Sequence, residues 1–120
     1  MESFEKLDAW KSAKELALKC YEITKLFPKE EQFSLTSQTR RAAISVVSNI
    51  AEALSRLSIK DQSYFFQMAT GSLYELKAQF IIATELNFMK KTDLDIVSDS
   101  IIRTLKLING YKRYLSSKNL

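Results

Sequence analysis

LTSQTRRAAISVVSNIAEALSR, residues 35–56, holds neither Gly nor Pro, so nothing in it interrupts a helix of about six turns. From Ala42 to Ala51 it carries no charge, whereas a surface helix normally turns a charged face to water. At about 100° per residue, Leu35, Ala42, Ala43, Val46, Val47, Ile50, Leu54 and Leu57 gather into one apolar arc. The opposite side carries Gln38, Arg41, Ser45, Ser48, Glu52 and Ser55, a stripe that is polar yet uncharged in its middle. Small Ser and Ala side chains let another backbone come close, and amides satisfy a partner's polar groups. Gln38, Ser45, Ser48 and Asn49 are therefore expected at an interface with another helix or another subunit.

Working outward, the chain divides into three further helical segments. A first helix is expected over 4–27, capped by Ser3 and stopped by Pro28. Ala9, Trp10, Ala13, Leu16, Ala17, Cys20, Ile23, Thr24 and Phe27 line its apolar side. Ser34 or Thr36 is available to cap the helix at 35–56. Ser58 followed by Asp61 reads as a capping box that opens a third helix over 59–88. There Gln62, Phe66, Ala69, Leu73, Leu76, Phe80, Ala83 and Asn87 alternate four and three apart, which is bundle spacing. A second line, Tyr64, Gly71, Ala78 and Glu85 with Ile82 beside it, runs along the far side. A helix with one core seam needs no second, so Gly71 and Ala78 point to an oligomer. Thr92 with Asp95 suggests a last helix over 93–115, with Leu94, Val97, Ile101, Leu105, Ile108 and Leu115 as its core stripe. The remaining residues to Leu120 read as a tail. Short connections make neighbours antiparallel, so the expected fold is all-α, an antiparallel up-down-up-down four-helix bundle in one domain spanning 1–120.

Composition narrows the chemistry. The chain has no histidine, which removes the commonest general base and metal ligand, and its one cysteine cannot form an internal disulfide. Two Gly and one Pro leave no phosphate loop or dinucleotide turn. Catalysis, metal and cofactor are therefore not expected. No apolar run approaches the roughly 20 residues of a membrane span, and the start MESFEKLDAWK lacks the basic and apolar blocks of a signal peptide. A cytoplasmic location with no membrane partner is the expectation. Cys20, among apolar positions, reads as a small buried hydrophobe.

Several motifs now stand in order: Phe27, Pro28 and Glu31; Leu35, Thr36, Gln38, Arg40, Arg41 and Ala42; Ser45, Asn49, Ile50, Ala51 and Glu52; Ala69, Gly71, Ser72, Glu75 and Leu76. In these the chain resembles the small four-helix-bundle proteins encoded in intervening sequences of bacterial large-subunit (23S) ribosomal RNA genes. The resemblance spans nearly the whole chain. It implies a helical bundle, often assembled as a pentameric ring. It also implies kinship with an accessory protein of diversity-generating retroelements that binds reverse transcriptase and nucleic acid. It carries no established molecular function. Ala53 departs from the family pattern, which has Gly there, so the helix is expected to continue further before turning.

Charge suggests where a partner would bind. The formal net charge is +4. Residues 32–58 hold three basic and one acidic residue, and residues from Asp93 onward five and three. Arg40, Arg41 and Arg56 are expected to form one site. Arg103, Lys106, Lys112, Arg113 and Lys118 form another, with Lys90 and Lys91 at the intervening turn. Arginine suits bidentate phosphate contacts and base stacking. The competing explanation is structural: Arg40 and Arg41 pair with carboxylates such as Glu52 of a neighbour or Glu75, and the helix-end lysines are solvated. Two functions follow: an oligomeric, non-catalytic protein that binds RNA or a nucleic-acid-handling protein through a basic surface, or a structural or protein-interaction module with no nucleic-acid role.

Overall fold

The computed structural model describes residues 3–118, and among these every regular element is helical. Four α-helices, α1 (Asp8–Thr24), α2 (Leu35–Ser55), α3 (Ile59–Glu85) and α4 (Lys91–Lys118), are joined by short turns. Two 3₁₀ turns, Phe4–Lys6 and Lys29–Glu31, precede α1 and α2. α1 packs on α2 and α4, and α3 packs on the same two, with α2 against α3 the most extensive contact. The four helices thus surround one core.

The boundaries show where local chemistry prevails and where it does not. Ser3 does cap, but it accepts from the Glu5 amide at 3.2 Å and closes a single 3₁₀ turn. Leu7 is then extended, so α1 starts at Asp8 rather than Phe4. The Phe4 ring folds back to meet Trp10 edge-on at 5.1 Å, a tertiary contact that a continuous helix would not make. At the other end α1 stops at Thr24, and Leu26 and Phe27 hang on tighter turns to the Ile23 and Thr24 carbonyls. α2 is capped by neither Ser34 nor Thr36: a Glu31 carboxylate oxygen accepts from the Leu35 amide at 3.2 Å, placing negative charge at the positive end of the helix. Ser58 caps α3 as expected, accepting from the Asp61 amide at 3.1 Å.

α3 ends at Glu85 because Asn87 adopts φ 66°, the left-handed region that Asn tolerates better than most residues. The Phe88 amide then donates back to the Ala83 carbonyl at 2.8 Å and the Asn87 amide to that of Thr84 at 3.0 Å, a Schellman closure. Phe88 follows by packing on Phe27, ring centroids 5.9 Å apart. Asn87 is therefore a cap and not the last member of the core seam. α4 begins at Lys91, two residues early, and its first turn is braced by the Lys91–Asp95 ion pair at 2.8 Å instead of a Thr92 cap. It also runs on through Ser116 and Ser117 to Lys118; Asn119 and Leu120 lie outside the described residues, as do Met1 and Glu2.

Inside, the α3 seam follows its spacing from Phe66 to Ala83, with Phe66, Ala69, Leu73, Leu76, Phe80 and Ala83 fully buried, while Gln62, at its start, is half-buried. Ala42, Ala43, Val46 and Ile50 meet it from α2, joined by Ala53, which the helix passes by two residues. Leu57 does not join them: it lies beyond the helix end and is 97% exposed. Two buried hydroxyls link α1 to α4. Ser12 and Thr104 lie 2.7 Å apart, and Thr104 also donates to the Ser100 carbonyl at 2.8 Å. With that proton committed, Ser12 must be the donor between them. Thr104→Val should therefore cost about 1–3 kcal/mol by orphaning the Ser12 hydroxyl, while Ser12→Ala costs less and the double change recovers most of the loss. Chemical denaturation of the three variants checks the ordering.

Candidate nucleic-acid interface

Arg40 sits on α2 beside the end of α1. Its Nε donates to the Thr24 hydroxyl at 2.8 Å, a terminal nitrogen reaches the Tyr21 carbonyl at 3.5 Å, and its guanidinium lies 4.5 Å from the centre of the Tyr21 ring. A cation there answers the partial negative charge of the α1 C-terminus. Arg40 is thus a clamp between helices. Arg56, just past α2, pairs with Glu52 at 2.8 Å and lies over the Phe65 ring at 4.7 Å. Arg41 is exposed and makes no ion pair among the described residues.

The three arginines do not make one site. Arg41 and Arg56 are separated by fifteen residues of almost continuous helix, about 22 Å at 1.5 Å per residue. The α4 group is different. Arg103, Lys106 and Arg113 fall within about 80° of one another around the helix axis, on the side away from Val97, Ile101 and Ile108. All three are exposed and without an ion pair among the described residues. Lys112 is turned well away from them, half-buried at the flank of the core.

The interface candidates also divide. Ser45 is half-buried and accepts from Ser72 of α3 at 2.8 Å, while the Asn49 side-chain nitrogen donates to both the Ser45 carbonyl and hydroxyl, at 2.8 and 3.0 Å. This polar network is an α2–α3 contact within the chain. Gln38 and Ser48 remain exposed on the outer side of α2. Gly71 and Ala78 are exposed too, centred on the face of α3 opposite its core seam. Around them stand Tyr64, Met68, Tyr74, Ile81 and Ile82, with Tyr74 64% exposed. Met68, Tyr74 and Ile81 are not in the seven-residue line that singled out Gly71. They stand three or four positions from Gly71 or Ala78, a spacing visible in the sequence. A Cβ built on Gly71 would meet nothing within 4 Å, so no neighbour within the chain requires glycine there.

The family model described as 23S rRNA-intervening sequence protein matches residues 5–110. The chain belongs to this family. Among solved structures, the chain is similar to a protein of unknown function from the S23 ribosomal protein family of Bacteroides thetaiotaomicron. The two share 16% identity with a TM-score of 0.79, over 87% of this chain and 97% of that one. At that identity the likeness is one of fold. No curated protein matches. The family motif residues take structural places in this chain: Glu31 caps α2, Arg40 clamps α1, and Ser45, Asn49 and Ser72 tie α2 to α3. Among the described residues no helix is long and apolar enough to cross a membrane, and no three Cys, Asp or Glu side chains gather as a metal site.

Proposed function

We propose that the protein is a non-catalytic, cytoplasmic homo-oligomer that binds RNA through the outward basic stripe of α4. The observation that carries this is the stripe itself. Arg103, Lys106 and Arg113 are three exposed cations on one face, with no carboxylate paired to them among the described residues. Such an arrangement suits successive phosphates, and repetition around a ring multiplies its field. Arg41 is a further exposed cation, on α2, whereas Arg40 and Arg56 are engaged within the chain. A non-catalytic role is supported by a sequence without histidine and by a lone thiol sealed at Cys20.

We infer alternating helix directions, an up-down-up-down arrangement, from paired contacts. Ser12 meets Thr104 while Leu7 and Ala9 share a cleft with Tyr111 and Tyr114, so numbering rises in α1 as it falls in α4. Ser45 with Ser72, and Leu54 with Gln62, relate α2 and α3 in the same way. The exposed apolar face of α3 supports assembly, since a patch of this kind is rarely left to water. A pentameric ring is the assembly that the family resemblance suggests. Ala78→Glu, which would bring a charge into the centre of that face, is expected to yield smaller species in analytical ultracentrifugation. An unmodified protein that sediments as a monomer at micromolar concentration contradicts the assembly.

RNA binding is tested by salt titration on single-stranded RNA, with the oligomer checked in parallel. The logarithm of affinity should fall with the logarithm of salt by about 0.7 per contacted phosphate. Arg103→Ala with Arg113→Ala should flatten that slope by roughly 1.4 without changing the assembly. The engaged Arg40 and Arg56 and the apolar α3 face favour a second reading, a protein-interaction module. That reading prevails if RNA is not retained at low salt, or if the double variant dissociates the oligomer.

A further inference from the structure

At one end of the molecule the start of α1, the end of α2, the first turn of α3 and the last turns of α4 enclose an open cleft of about 890 Å³. Its floor is apolar, from Leu7, Ala9, Leu54, Leu107 and Leu115. One wall is aromatic: Tyr111 packs edge-on against buried Phe66 at 5.5 Å, and Tyr114, a residue 52% exposed, leans on Tyr111 at 5.8 Å. Three lysines, Lys6, Lys106 and Lys118, stand at the lining against a single Asp8. Lys118 already rests over the Tyr114 ring at 5.6 Å, which shows that an ammonium and the aromatic face lie within one ligand's reach.

Two details have no explanation within the chain. Gly110 lies in the middle of a helix, where glycine costs about 1 kcal/mol relative to alanine. Yet a Cβ there would meet only the far end of Arg113, at an ordinary 3.8 Å. No packing contact within the chain calls for glycine, and the space beside it is the cleft. Gln62, also in the lining, donates its amide nitrogen to the Arg56 carbonyl at 2.9 Å while its buried Oε1 has no partner.

We propose that this cleft is a binding site for a nucleotide unit, the base stacked on Tyr114 above the apolar floor and the phosphate held among Lys6, Lys106 and Lys118. The size lies within the range of small-molecule sites, and the combination of aromatic face, apolar floor and surplus positive charge matches a planar base joined to an anion. Burial, and then the neighbouring Tyr114 phenol, push the Tyr111 hydroxyl above its ordinary value of 10.0, with Lys118 opposing. A free mononucleotide and an unpaired nucleotide of an RNA strand present the same chemistry.

Lys106 belongs to both the α4 stripe and the cleft, but Arg103 and Arg113 do not line the cleft, so the two sites are separable by experiment through Arg103. Calorimetric titration of the full-length protein at low salt should show binding of adenosine 5′-monophosphate, with ribose 5-phosphate and adenosine each weaker. Tyr114→Ala should weaken the mononucleotide roughly 5- to 100-fold. Gly110→Met places a flexible side chain at the cleft, its Cβ meeting only the far end of Arg113 at 3.8 Å, and improves helix propensity, so binding should fall at unchanged or higher melting temperature. Arg103→Ala should leave mononucleotide binding intact even where it reduces retention of RNA. A short adenine oligonucleotide binding much more tightly than the monomer, and losing that binding in Gly110→Met, would assign the site to a strand; equal affinity would assign it to a free nucleotide. The proposal is overturned if neither probe binds at millimolar concentration, or if Gly110→Met binds them as the unmodified protein does.

Discussion

Phe66→Ala is expected to cost about 3–5 kcal/mol, a large share of the roughly 5–15 kcal/mol that holds a domain folded. Phe66 is fully buried in the α3 seam, and the loss has two parts. Removing the ring forfeits its burial, and it leaves a cavity between α3 and α4 that rigid neighbouring helices close only in part. The edge-on contact with Tyr111 disappears as well. Urea denaturation should show a lower midpoint with an unchanged slope, since the folded state remains compact. Phe33→Ala supplies the contrast. Phe33 is 91% exposed, and its replacement should change stability by no more than about 0.5 kcal/mol. Equal losses in the two variants would mean that α3 does not place Phe66 in the core.

The fold was legible where one period governs a long stretch. In α3 the four-three spacing marks eight seam positions; the six from Phe66 to Ala83 are buried, while Gln62 at one end is half-buried and Asn87 at the other is an exposed cap. Ser58 was legible because a cap acts three residues away. The start of α1 was not, because the break at Leu7 accompanies a Phe4–Trp10 contact that depends on the ring finding its place on the folded helix. Helix propensity sees only neighbours in sequence. The α2 cap was missed for a related reason: Glu31 acts from within a turn whose shape the sequence did not specify.

The candidate site was less legible, and Arg40 shows why. An arginine on a helix has the same appearance in sequence whether it waits for a phosphate or clamps Tyr21 and Thr24, residues that only the packing of α1 on α2 brings near. Ser45 and Asn49 make the same point for interfaces. A helical projection identifies an uncharged face but not whether it meets α3 of the same chain or a second copy. The grouping of Arg41 with Arg56 is a different kind of error, since fifteen residues of helix already set them about 22 Å apart. On α4 the same arithmetic succeeds for Arg103, Lys106 and Arg113 and rejects Lys112. What periodicity cannot supply is the cleft, which draws its lining from all four helices and from the turn before α1.

Raising the pH from 9 toward 12 is expected to destabilise the protein through Cys20. The thiol is fully buried, and loss of hydration pushes its pKa from an ordinary 9.0 up to about 12. Below pH 9 the thiol is protonated whether the chain is folded or not, so it exerts no pH dependence. Above pH 9 the unfolded chain releases the proton while the folded chain keeps it, and the unfolded state is favoured by mass action. With more protons bound to the native state, stability falls as pH rises, by about 1.4 kcal/mol per unit until the folded thiol itself ionises. Lysines and tyrosines titrate over the same range, so the comparison needs Cys20→Ala measured alongside. That variant begins with a constant deficit from the lost sulfur contacts, and the gap between the two proteins should close by about 1 kcal/mol between pH 9 and pH 10 and by close to the full 1.4 kcal/mol over the next unit. A water-soluble disulfide reagent gives an independent reading at pH 8, where Cys20 should react only as fast as the core opens. Parallel stability curves for the two proteins, or immediate reaction of the native thiol, would place Cys20 outside the core.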